Sequence, residues 1–115
     1  MLHHVGLEVK NIERTSQFYH RWFQLNEGKL MELNGEKILF LQVGNTWLEF
    51  IEVESPNHQD SIYHLAFKVT DIEQQISIME RAKVPILEPI QSFPNGWKNA
   101  FVSGPDGEWI ELIQS

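Results

Sequence analysis

The spacing of hydrophobic residues changes in the same order twice along the chain, from strand-like alternation to helical spacing. In HVGLEV, residues 4 to 9, Val5, Leu7 and Val9 fall on one face, the pattern of a strand buried on one side. Apolar residues then recur at roughly helical spacing, at Ile12, Phe18, Tyr19, Trp22 and Phe23. The pattern therefore predicts a strand followed by an amphipathic helix.

The second half of the chain repeats this unit. HHVGLEVKNIE (3–13) aligns with YHLAFKVTDIE (63–73) at a shift of 60, and TWLEFIEV aligns with EWIELIQS at a shift of 62. Asn11 and Asp71 stand at the predicted helix N-caps. Pro85 follows the second helical stretch, and a proline is expected to stop a helix. That second helix is predicted from Ile72, Ile76, Met79 and Ala82.

Three strands are predicted after each helix. In the first half, Asn34-Gly35 and Gly44-Asn45 form two tight hairpins, because these residues tolerate the positive φ of primed turns. In the second half, Pro89 predicts a sheet edge or a bulge. The predicted strands are KLMEL, KILFLQV and TWLEFIEV, then ILEPIQSF, NAFVS and EWIELIQ. The expected fold is α+β, with tandem βαβββ modules at 1–53 and 62–115, a linker at 54–61, and sheets curved into a cup.

Composition narrows the class of protein. A chain of 115 residues with 42% hydrophobic content suits one globular domain. The net charge of −7 argues against nucleic acid or an anionic membrane as a partner. The absence of cysteine excludes disulfides and thiolate metal sites, and the opening MLHHVGLEV does not look like a secretion leader. A cytoplasmic location is therefore expected.

Two histidines and two glutamates occupy duplicated positions in these strands. His4 and His64 lie in the first strand of each module, and Glu49 and Glu111 lie in the last. Alternation places all four on the sheet face turned away from the helix. A lone histidine or glutamate on a strand is usually a hydrogen-bonded or half-exposed residue. The duplication instead favours one divalent metal (Zn, Ni, Co or Mn) held by all four side chains, with room for water.

The remaining histidines and the tryptophans carry weaker signals. His3 is predicted to point away from His4, in a structural or supporting role, and His20 and His58 are predicted to be surface residues. Trp47 and Trp109 share a face with the glutamates, so they are either core residues or walls of a substrate pocket. Glu8 and Lys68, on the histidine face of the first strands, complete the candidate pocket.

The chain resembles the vicinal oxygen chelate superfamily, which includes glyoxalase I, methylmalonyl-CoA epimerase, fosfomycin- and bleomycin-resistance proteins and extradiol dioxygenases. The resemblance covers essentially the whole chain and rests on HHVGLEVKNIERTSQFYHRWF, SIYHLAFKVTDIE and the closing hairpin GPDGEWIEL. It implies paired βαβββ modules whose metal ligands come from the first and last strands. By motif matching these ligands are His4, Glu49, His64 and Glu111.

Within that superfamily, a His-Glu-His-Glu set is similar to metal-dependent glyoxalase I. The resemblance implies a lyase or isomerase in which two adjacent substrate oxygens chelate the metal. Glu111 or Glu49 would then move a proton beside a carbonyl through an enediolate. Glutathione-dependent relatives usually carry arginine and asparagine where this chain has Glu8 and Val53. An acid facing an acidic cosubstrate disfavours glutathione.

Two other functions are compatible with the same fold. One is a small-molecule binding, sequestering or resistance protein with or without metal. The weaker one is an Fe(II) oxygenase, which normally lacks one of the four ligands, so that Glu49 argues against it. Open sheet edges predict a homodimer. The sequence leaves open whether each site is built within one chain or from halves of two.

Overall fold

The computed structural model describes residues 3–33, 35–56 and 64–115. The chain divides into two compact units, Met1–Asn57 and His58–Ser115, each with one helix and one four-stranded sheet. The described residues do not include Asn34 of the predicted first hairpin or residues 57–61 of the predicted linker, among them His58. Neither helix in the described part of the chain is long and apolar enough to cross a membrane.

The first unit is a βαβββ module. Its sheet has the order β1-β4-β3-β2, with β1 parallel to β4 and the other neighbours antiparallel. Its elements are β1 (His4–Val9), α1 (Ile12–Phe23), β2 (Gly28–Leu33), β3 (Glu36–Val43) and β4 (Thr46–Glu52).

The second unit repeats this topology. Its sheet has the order β5-β8-β7-β6, again with the first and last strands parallel. Its elements are β5 (Leu65–Lys68), α2 (Ile72–Arg81), β6 (Ile86–Ser92), β7 (Lys98–Ser103) and β8 (Trp109–Gln114). The predicted α+β class with two βαβββ modules is confirmed.

The predicted N-caps begin both helices. The Asn11 side chain accepts a hydrogen bond from the Arg14 amide at 2.9 Å, and Asp71 accepts one from the Gln74 amide at 3.0 Å. Each of these bonds satisfies one of the backbone donors that a helix start leaves unpaired.

A second cap comes from the last strand of each module. Glu52 Oε2 accepts a hydrogen bond from the Ile12 amide at 3.0 Å, and Gln114 Oε1 accepts one from the Ile72 amide at 2.8 Å. These bonds tie the start of each helix to the strand that also carries the candidate glutamate. Sequence alignment contained the signal, since Glu52 and Gln114 match at the same shift of 62.

The core of each module lies between its helix and its sheet. Tyr19 is fully buried and its ring lies 5.0 Å from the ring of Phe50. In the second module Ile72, Met79 and Leu112 are fully buried. Each helix therefore covers the strand face opposite the glutamates, as alternation predicted.

The edge strand β6 contains one of the two prolines interpreted from the sequence, and the end of α2 precedes the other. Pro89 lies in β6, an edge strand whose pairing with β7 shifts register twice, so both parts of the prediction are confirmed. The second helix ends at Arg81, four residues before Pro85, and Lys83 then takes a positive φ of 66°. The left-handed residue, rather than the proline itself, marks the end of the helix.

The closing turn between β7 and β8 is organised around a buried carboxylate. Glu108 is only 4% exposed, and its Oε1 accepts a hydrogen bond from the Asp106 amide at 2.9 Å. A Cβ placed on Gly104 would fall on this carboxylate. Gly104 therefore leaves the space that Glu108 occupies, and its backbone amide bonds the Glu108 carbonyl at 2.8 Å.

Gly104→Ala is expected to destabilise the protein by about 1–3 kcal/mol, because the methyl group displaces the Glu108 carboxylate from its bond to Asp106. Urea unfolding monitored by tryptophan fluorescence measures the change. In a Glu108→Ala background the same substitution is expected to cost far less, because the displaced group is absent. Equal costs in both backgrounds would show that Gly104 serves another purpose.

Candidate functional site

Parallel pairing of the first and last strands sets the position of each candidate glutamate. Glu49 pairs with Gly6 on one side and Phe40 on the other. Glu111 pairs with Ala66 and Phe101 in the same way. Each carboxylate thus starts from the centre of its sheet, on the face away from the helix.

In the first module His4 and Glu49 are neighbours. His4 Nε2 lies 3.6 Å from Glu49 Oε1, and the side chains are 39% and 17% exposed. The Nδ1 atoms of His3 and His4 lie 2.9 Å apart. Although alternation predicted opposite faces, these two rings meet, because His3 precedes β1. Contact through Nδ1 leaves His4 Nε2 directed at the carboxylate.

In the second module the corresponding pair is closer. His64 Nε2 lies 2.9 Å from Glu111 Oε1, and the side chains are 39% and 13% exposed. The other carboxylate oxygen, Oε2, accepts a hydrogen bond from Asn99 Nδ2 at 2.8 Å. Asn99 was not predicted, and the repeat contained no signal for it, because Ile38 occupies the matching place in the first module.

An aromatic pair lies beside each histidine. A phenylalanine of the neighbouring strand, Phe40 or Phe101, contacts the histidine ring edge-on and also approaches the tryptophan of its module. The ring-centroid distances are 5.7 Å for His4–Phe40, 6.3 Å for Phe40–Trp47, 5.2 Å for His64–Phe101 and 5.5 Å for Phe101–Trp109. The two phenylalanines, which match at a shift of 61, were missed although the repeat contained them.

The predicted pocket residues occupy different surroundings. Trp47 helps to line a cavity of about 180 Å³ with His3, Lys29, Met31 and Phe40, and Lys29 Nζ lies 5.5 Å from the Trp47 ring centre.

Trp109 is 41% exposed, so it is not a core residue. Glu8 and Lys68 are exposed on the histidine face of β1 and β5, where they pair with Ile51 and Ile113. His20 is exposed on α1, as expected of a surface residue.

A larger cavity of about 570 Å³ lies on the other face of the first sheet. It is lined by residues at the start of α1 and on β2 and β3, among them Lys10, Leu30, Lys37 and Leu39. Because Leu39 lies on the helix side of the sheet, this cavity is separated from His4 and Glu49 by the sheet itself.

The spacing within each pair suits ligands of one metal ion. Two ligand atoms about 2.1 Å from a shared ion lie about 3.0 Å apart at a right angle and about 3.4 Å apart at the tetrahedral angle. The observed separations of 2.9 Å and 3.6 Å are within a few tenths of these values. Among the residues that the structure describes, no three or more histidines and acids are grouped so as to hold a metal ion. Each module thus offers two such ligands.

Comparison with known proteins gives relatives of matching length. The Bacillus subtilis protein YwbC is 28% identical over 119 residues, covering 96% of this chain and 94% of its own. The trypanothione-dependent glyoxalase I of Leishmania major is 26% identical, with a TM-score of 0.83 over 99% of this chain and 86% of its own.

The fosfomycin resistance protein FosX of Listeria monocytogenes, solved with Mn(II) and a sulfate ion, shares the fold. Its TM-score is 0.78 at 18% identity, over 100% of this chain and 91% of its own. The family model for the Glyoxalase/Bleomycin resistance protein/Dioxygenase superfamily matches residues 1–112. A match over nearly the whole chain, on a fold with the expected duplicated module, shows that the protein belongs to this superfamily.

Proposed function

We propose that His4, Glu49, His64 and Glu111 together bind one divalent metal ion, and that the protein is a glyoxalase-like lyase or isomerase. The observation that carries this proposal is the repeated His–Glu pair at ligand-like separations. Both glutamates and His4 lie in the parallel-paired first and last strands, whereas His64 directly precedes β5. Two ligands from each module give four, with coordination positions left for substrate.

The donor set agrees with this assignment. Two imidazoles and two carboxylates suit Zn, Ni, Co or Mn, and a dication would offset the negative charge of the two carboxylates that bind it. The Mn(II) bound by FosX supports a divalent metal in a protein of this fold. The pairs that meet at one ion belong to one chain or to two chains of a homodimer.

A bound dication supplies Lewis-acid polarisation of two adjacent oxygens on the substrate. The chain supplies the proton transfer. One glutamate takes a proton from the carbon beside a carbonyl and returns it to the neighbouring carbon, so the product is an isomer of the substrate. Phe40 and Phe101 contact the two histidine rings edge-on, and Trp47 and Trp109 lie beside these phenylalanines, so each histidine has an apolar surface next to it that a substrate could contact.

The substrate is a small molecule with oxygens on adjacent carbons. Glu8 is exposed on the His4 face of β1, where a negative charge disfavours an acidic tripeptide thiol. We therefore expect a hemithioacetal of an uncharged thiol to be preferred over that of glutathione.

A binding or sequestering protein is the second candidate. The aromatic pair beside each histidine favours it, because flat apolar walls hold a ligand whether or not any bond is broken. Tight binding of a small molecule without turnover in metal-loaded protein would decide for this candidate.

Metal binding is the first prediction of the proposal. Isothermal titration with Ni²⁺ after EDTA treatment is expected to give one ion per pair of modules. His4→Ala or His64→Ala is expected to weaken Ni²⁺ binding about a hundredfold or more. His20→Ala is the matched control, since His20 is exposed on α1 and should leave Ni²⁺ affinity unchanged. Equal affinities for all three variants would contradict the site.

Turnover is the second prediction. Metal-loaded protein is expected to isomerise the methylglyoxal hemithioacetal of 2-mercaptoethanol, followed by product absorbance and by exchange of substrate hydrogen with D₂O. Replacing whichever glutamate carries the proton with glutamine is expected to lower kcat about 10²–10⁴-fold. Glu80→Gln on α2 is the control for removing a carboxylate. Full turnover by both Glu49→Gln and Glu111→Gln would exclude a glutamate base.

A further inference from the structure

The two glutamates are held differently. Both oxygens of Glu111 are engaged, Oε1 by His64 Nε2 at 2.9 Å and Oε2 by Asn99 Nδ2 at 2.8 Å. Asn99 itself is only 8% exposed, so its amide has few alternative partners. A carboxylate bonded at both oxygens has one preferred position.

Glu49 lacks the equivalent of the asparagine bond. Ile38 is the counterpart of Asn99 in the first module, because Ile38 pairs with Ile51 as Asn99 pairs with Ile113. An isoleucine side chain donates no hydrogen bond. The contact of Glu49 with His4, at 3.6 Å, is longer than the contact of Glu111 with His64, at 2.9 Å. The distance of 3.6 Å is beyond an ordinary hydrogen bond.

The residue opposite each glutamate on the neighbouring strand also leaves Glu49 more space than Glu111. Gly6 lies opposite Glu49, and a Cβ placed on Gly6 would come within 3.1 Å of Glu49 Oε1. In the second module Ala66 occupies the matching place opposite Glu111. The missing methyl group gives the Glu49 carboxylate space over β1.

We propose that Asn99 is a positioning residue that anchors Glu111, and that Glu49 is the carboxylate free to leave the ion and carry the proton. This assignment rests on the proposed function for its catalytic part. The two modules have thus diverged, with the glutamate of the second module fixed in position and that of the first module able to move. Two differences carry the inference: Asn99 against Ile38, and Ala66 against Gly6.

The anchoring itself is testable in metal-free protein. Side-chain ¹³C relaxation of labelled glutamate, with Glu49 and Glu111 assigned by substitution, is expected to show a rigid Glu111 and a mobile Glu49. Asn99→Ile copies the residue that the first module carries, and it is expected to raise the mobility of Glu111 to that of Glu49. Equal mobility of the two carboxylates in the unsubstituted protein would overturn the inference.

Metal affinity is the second measurement. Asn99→Ile is expected to weaken Ni²⁺ binding about tenfold, because an unanchored ligand must be ordered when the ion binds. Ile38→Asn, which offers Glu49 the missing amide, is expected to maintain or strengthen Ni²⁺ binding.

The catalytic part is tested by restraining Glu49. Ile38→Asn is expected to lower kcat at saturating Ni²⁺ about tenfold with little change in KM, because the carboxylate must break a new bond to move. Gly6→Ala restrains the same carboxylate by a different route, and it keeps the test available if a buried asparagine at 38 prevents folding. Loss of kcat on Glu111→Gln, but not on Glu49→Gln, would contradict the assignment.

The two proposals fail in distinguishable ways. Unsubstituted protein that shows the mobility difference but binds no Ni²⁺ would refute the metal site and leave the anchoring of Glu111 intact. Protein that binds Ni²⁺ with four ligands but shows two equally rigid carboxylates would refute the division of roles alone.

Discussion

The parallel pairing of the first and last strands in each module is the constraint on which the candidate site depends. These strands come from opposite ends of a module of about fifty residues, and their register puts Gly6 beside Glu49 and Ala66 beside Glu111. A slip of one residue would turn each glutamate into the helix-covered core, where an unpaired charge is costly. The buried residues that flank each glutamate prevent this slip, because they must remain under the helix.

Duplication explains both what the modules share and where they differ. The helix caps, the edge-on phenylalanines and the His–Glu pairs recur at matching positions. Asn99 departs from the repeat, and so does Gly6. Two copies of one fold can place the same ligand types while their surroundings adjust how firmly each is held. In the proposed metal site, divergence of this kind would let one carboxylate stay on the ion and the other leave it, with the same four ligands.

Much of the fold could be predicted from the sequence, because alternation and helical spacing are local signals. HVGLEV is β1 from end to end, and both caps begin the helices where asparagine and aspartate predicted. The Asn99–Glu111 bond could not be predicted, because it joins two strands whose register depends on the whole sheet. The contact of His3 with His4 was mispredicted because strand alternation does not apply before the strand begins.

The most direct test of the account is a crystal structure of the Ni²⁺-loaded protein with anomalous scattering at the nickel edge. We expect one ion with His4 Nε2, His64 Nε2 and an oxygen from each of Glu49 and Glu111 at about 2.0–2.2 Å. The ligands come from one chain or from two. An ion held by only one module's pair, or bound away from both pairs, would contradict it.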